Sequence, residues 1–168
     1  TTSAAGTPHT LLFGVIVAGN FIAGLGGNLA AAPLSRLLGR RLALLGALVR
    51  ATQGAFTLGL AASSRLVPSA ALFWPVYFSA GIGVSPHSTL VNEEIPAERR
   101  SSMLSVQSLA FFAGSVLGSM ALGWLADRWS IGAAWTVAGS LVALSGLLYV
   151  RLDRDRKVIE ESRPVAMG

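Results

Sequence analysis

Cysteine is absent from these 168 residues. That excludes a disulfide framework and any thiolate metal site. Charge is nearly as scarce: only 12% of the residues are Asp, Glu, Lys or Arg, against about a quarter in an ordinary soluble domain. So few charges cannot cover a soluble surface. No cluster of His, Asp or Glu has metal-ligand spacing, and no Gly-rich loop ends in Gly-Lys-Ser/Thr, so the chain is not its own ATPase. Neither a cofactor nor a metal is expected. A catalytic pair is missing too. "GVSP" before His87 faintly resembles an intramembrane serine protease loop, but the other histidine is His9, far along the chain, and a nucleophile needs a base within reach.

The few charges fall in short clusters such as "VNEEIPAERRSSMLSV" (91–106). Residues 1–35, 66–92, 101–126 and 129–150 carry none. About 20 uncharged helical residues cross the ~30 Å core of a bilayer. The pattern predicts an all-α polytopic membrane protein with five transmembrane helices, at about 10–34, 42–62, 67–91, 102–126 and 131–151. Residues 1–9 form a lead-in, 10–151 the bundle and 152–168 a tail. The runs are too long for strands, and they do not alternate as a membrane barrel requires.

Arginines set the orientation. The first loop holds Arg36, Arg40 and Arg41, the second only Arg65, the third Arg99 and Arg100, and the fourth only Arg128. The tail is basic again. Basic loops stay in the cytoplasm, so the N-terminus is expected outside and the C-terminus inside. The net charge of +5 would suggest nucleic acid in a soluble protein; here it marks cytoplasmic loops, and no nucleic-acid partner is expected. The tail, "RLDRDRKVIEESRP", reads as a solvated, partly disordered segment, with a docked amphipathic helix as the weaker alternative.

Polar residues inside spans must meet other helices or a water-filled cavity. Asn20, Gly24 and Asn28 share one face of the first helix. They suit either interhelical hydrogen bonds or a substrate lining. Arg50 lies about 13 Å beyond Arg41 along the second helix, where local bonding to Gln53 and snorkelling outweigh a functional reading. The third helix holds Pro68, Pro75 and Pro86 and is expected to be the least regular, as transporter site helices often are. Its stripe Trp74, Phe78, Gly81, Ser85 and Ser88, with Tyr77 beside it, suits an amphiphilic ligand, and an interfacial aromatic belt is the plainer reading. Gln107, Phe111 and Ser115 run along the fourth helix. Gly114, Gly118, Ser119 and Gly123 give it the small-residue spacing of tight helix contact. His87 is expected to be an ordinary packed histidine.

Several stretches resemble the major facilitator superfamily. In "GNLAAAPLSRLLGRR", Gly39, Arg40 and Arg41 match the closing Gly-Arg-Arg of its cytoplasmic loop motif, with Arg36 where that motif has Asp and Ala32 where it has Gly. In "IPAERRSSMLSVQSLAFFAGSVLGSMALGWLADRW", Pro96, Glu98, Arg99, Arg100 and Ser105 fit P-x-E-R-R-x4-S, and Gly123, Asp127 and Arg128 resemble Gly-x3-Asp-Arg. The resemblance implies that the five helices are the eighth to twelfth of twelve. They would form a partial C-terminal six-helix bundle, and the chain, which begins TTSAAG without Met, would be a fragment lacking the N-terminal helices. It implies a cavity role for Tyr77, Phe78 and Ser85, a gate-flanking position for Asn20 and Gln107, and a cytoplasmic gate at Arg40 and Arg41; Phe111, on the face of Gln107, is a further cavity candidate. The implied function is alternating-access transport of a small molecule across the inner (plasma) membrane, by proton-coupled efflux or by uptake symport. A five-helix structural or regulatory protein that assembles with a partner is the rival reading.

Overall fold

A computed structural model describes residues 8–63 and 65–162. Five long helices account for almost all of them: α1 (Pro8–Leu37), α2 (Leu42–Ala62), α3 (Leu66–Glu94), α4 (Arg100–Arg128) and α5 (Ile131–Ser162), with a single 3-10 turn at Ala97–Arg99 before α4. All five are long and apolar enough to cross a membrane. A helix satisfies its own backbone hydrogen bonds, which hydrocarbon demands. Exposure of the large side chains gives the same answer. Phe21, Phe111, Leu141 and many others stand more than half exposed, an apolar surface that water would not tolerate and lipid covers.

The helices form a chain of neighbours. α3 packs against both α1 and α2, and α2 against α5, while α4 rests more lightly on α5. The small core, Ala31, Leu45, Val49 and Ile82, joins α1, α2 and α3 near the arginine-rich end, with Ala30, Leu34 and Leu38 against it.

Glycines set the two closest crossings. Between α1 and α3, a Cβ on Gly81 would strike the carbonyl of Gly24, with the carbonyl carbon 2.9 Å away and Asn28 N at 3.1 Å. A Cβ on Gly27 would strike the carbonyl of Phe78. Between α2 and α5, a Cβ on Gly54 would lie 2.7 Å from the backbone N of Ala143. Only Gly lets backbones come this near, and in lipid such close packing, together with interhelical hydrogen bonds, holds helices together.

Three expectations are corrected here. Among the described residues the small-residue stripe of α4 makes no such crossing. Around Gly114, Gly118 and Gly123 nothing lies within 4 Å of a built Cβ. The hydroxyls of Ser115 and Ser119 donate to their own helix, to the carbonyls of Phe111 (2.8 Å) and Ser115 (2.7 Å). Secondly, α3 runs unbroken through Pro75 and Pro86. Pro68 costs it nothing, because it lies in the first turn, whose N–H groups lack intrahelical partners. Thirdly, residues 152–162 are not a loose tail: α5 continues through them to Ser162. Residues 1–7 and 163–168 lie outside the described residues.

Candidate functional site

Sequence spacing places Asn20, Gly24 and Asn28 on one face of α1, and the crossing at Gly24, Gly27 and Gly81 turns that face toward α3. The result is a groove of about 380 Å³ between the two helices. Asn20, Phe21, Leu25 and Asn28 line one wall and Tyr77, Ala80 and Val84 the other, with Gly24 and Gly81 between them. None of these residues carries a charge. Asn20 Oδ1 is buried and accepts no hydrogen bond. A buried acceptor without a donor costs about 1–3 kcal/mol, which a ligand hydroxyl, an amine or a water molecule would relieve.

The other expected cavity residues scatter. Phe78 stands on the far side of the crossing, its ring against Gly26. Ser85 lines a second cleft of about 390 Å³ nearer the arginine-rich end, together with Ser35, Arg36, Arg40, Thr89 and Glu93. Phe111 is 68% exposed, and its ring meets that of Phe112. Gln107 turns toward α3 instead. Its amide donates to His87 Nε2 (3.3 Å), and His87 Nδ1–H donates to Tyr149 Oη (2.9 Å). One histidine thereby ties α4 and α5 to α3, with both ring nitrogens engaged. Arg50 donates to Gln53 Oε1 at 3.0 Å, the local bond that its spacing suggests.

The arginine-rich end carries the third feature. The turn between α1 and α2 reverses at Gly39 and Arg40, both with positive φ (62° and 60°). This conformation suits Gly and strains Arg. It sets Arg41 beside α5, where the guanidinium pairs with Asp153. One turn on, Arg156 donates to Glu93 at the end of α3 (2.9 Å). Asp153 and Arg156 are three residues apart and share a helix face, so the extension of α5 is buttoned to two other helices. A cavity of about 450 Å³ opens at this junction, lined by Arg40, Arg41, Glu93, Asp153 and Arg156. Arg99 and Arg100 stand apart, exposed at the start of α4.

Asp153 and Tyr149 carried no motif that could single them out. Gly24 and Gly81 already stand in the polar and aromatic stripes of the sequence; Gly27 could have been found by asking which further glycine lies at helical spacing beside them.

Five membrane-length helices packed through glycine crossings, with an uncharged groove along one crossing and, among the described residues, ion pairs at one end, define a polytopic membrane protein. Residues 4–166 match the model of the Major Facilitator Superfamily. The chain belongs to that family, whose members are transporters rather than enzymes. No curated protein and no solved structure matches it.

Proposed function

We propose that the groove between α1 and α3 is the part of the transport path that this chain supplies, and that it carries a small, mainly apolar molecule outward in exchange for protons. The observation that carries the reading is the buried, unpartnered Oδ1 of Asn20 in a groove whose other wall holds Tyr77. Pockets for small ligands are mostly apolar with a few placed polar groups, and this groove has that composition. The lining holds no Asp, Glu, His, Lys or Arg, so the proton is carried elsewhere in the protein. Transport follows from rocking of one bundle against another about a site near the midplane. The arginine-rich ends of the helices face the cytoplasm by the positive-inside rule, and the membrane is the inner (plasma) membrane. The Arg41–Asp153 and Arg156–Glu93 pairs lie on that side, and they hold the ends of α2, α3 and α5 together while the groove opens.

The test is an inverted-vesicle assay on the expressed protein with an imposed proton gradient, read by a pH-sensitive dye. A panel of apolar alcohols, phenols and amines is added in turn. At least one compound dissipates the gradient, and Asn20→Leu abolishes the response. If downhill uptake of panel compounds occurs without any proton movement, exchange with protons is wrong. If Asn20→Leu transports as well as the parent, the groove assignment is wrong.

A further inference from the structure

A second cavity lies away from the groove. α3, α4 and α5 converge at the arginine-rich end around a cleft of about 450 Å³ lined by Leu90, Val91, Ile95, Met103, Leu148 and Leu152, with His87 and Tyr149 at its inner end. The two polar residues do not make it polar. Both His87 nitrogens are already bonded, one to Tyr149 and one to Gln107. What remains for an occupant is hydrocarbon wall and ring faces.

The mouth of this cleft is basic. Arg100 stands three residues before Met103 on α4, and Arg151 three residues after Leu148 on α5. At that spacing each arginine shares a helix face with a lining side chain, one turn nearer the membrane surface. Arg99 adjoins Arg100 in the preceding turn. All three are exposed, and none pairs with an acid among the described residues. Two of the described acids at this end are committed elsewhere: Asp153 pairs with Arg41 and Glu93 with Arg156. Glu98 and Asp155, also close in sequence, are exposed and bond to none of the three.

We propose that this cleft binds one anionic glycerophospholipid, with an acyl chain between α3, α4 and α5 and the phosphate on Arg99, Arg100 and Arg151. The apolar wall alone would not select a lipid, because lipid tails are as apolar as leucine. Selection comes from the headgroup. Clustered arginines near the surface favour an anionic lipid by roughly fivefold each, and guanidinium suits phosphate geometry better than ammonium does. The bound lipid fills the space that the light contact between α4 and α5 leaves, so it also steadies α4. The proposal rests on the chain lying in a bilayer and not on what it transports.

Native mass spectrometry of the full chain in detergent tests it, with palmitoyl-oleoyl phosphatidylglycerol and phosphatidylcholine added at equal concentration. One phosphatidylglycerol is retained at least tenfold in preference. The variant Arg99→Gln/Arg100→Gln/Arg151→Gln loses the preference, while Arg36→Gln/Arg40→Gln keeps it. Met103→Trp fills the cleft and loses the retained lipid with every arginine in place. Helicity by circular dichroism certifies each variant. Equal retention of the two lipids by the parent chain would overturn the proposal, and so would an undiminished preference in the triple variant. Displacement of the lipid by glycerol 3-phosphate would also overturn it, because the site would then belong to a free phosphate.

Discussion

Replacing Gly81 with Ala tests the α1–α3 crossing that shapes the groove. The added Cβ would lie 2.9 Å from the carbonyl carbon of Gly24 and 3.1 Å from Asn28 N, with the Gly24 oxygen nearer still. Ordinary contact begins at 3.4 Å. The obstacles are backbone atoms, which cannot swing aside as a side chain can. The carbon alone asks for about 0.5 Å of separation and the nearer oxygen for more, so the helices must part at the crossing. Overpacking of this kind costs about 1–3 kcal/mol. For a chain of this size each kcal/mol lowers the unfolding temperature by roughly 2–4 °C, so the expected loss is about 2–12 °C. Gly114→Ala is the matched control. Nothing lies within 4 Å of its Cβ, so Ala gains helix propensity worth up to about 1 kcal/mol. The two substitutions are chemically identical and are expected to move stability in opposite directions. Thermal unfolding in nanodiscs reads both. A Gly81→Ala chain as stable as the parent, or a shared sign for the two variants, would refute the crossing.

Three further outcomes are expected. Arg41→Asp and Asp153→Arg each loosen the end of α5, and the double swap restores it. The pair is partly exposed, at 41% and 16% of its side-chain surfaces, so a double-mutant cycle should give a coupling of about 0.5–1 kcal/mol; zero coupling would mean that α5 is held by packing alone. Tyr149→Phe removes the partner of His87 Nδ1 and costs about 1 kcal/mol, seen as earlier unfolding, whereas a cost confined to Gln107 variants would show that the His87–Tyr149 bond is not made. Asn20→Leu removes a buried acceptor that has no donor, so it leaves stability unchanged or raises it by about 1 kcal/mol while abolishing transport; a variant that unfolds early would mark Asn20 as structural instead.

The spans were legible because hydrocarbon excludes charge so strongly that the gaps between charged residues delimit the helices. Fine packing was not legible. Gly114 and Gly118 have the spacing of a crossing just as Gly24, Gly27 and Gly81 do, and spacing does not say which helix arrives opposite. The extension of α5 misled for a related reason. Its mixed charges read as solvated, yet Asp153 and Arg156 fall on one face and meet Arg41 and Glu93, partners more than fifty residues away in sequence. Asn20 and Tyr77 were both singled out from the sequence and do share a groove. Phe111 was chosen by the same helical spacing, but its helix has no buried residue to turn toward.

Water access along the α1–α3 groove is the most direct measurement of the central claim. The chain has no cysteine of its own, so single cysteines give a clean reading. Asn20→Cys, Tyr77→Cys and Leu144→Cys are each exposed to a membrane-impermeant maleimide in intact vesicles. Only a hydrated thiol ionises and reacts. A groove that serves as a solute path predicts labelling at positions 20 and 77 and none at position 144, on the outer face of α5. Silence at positions 20 and 77, or labelling no faster than at position 144, would contradict it.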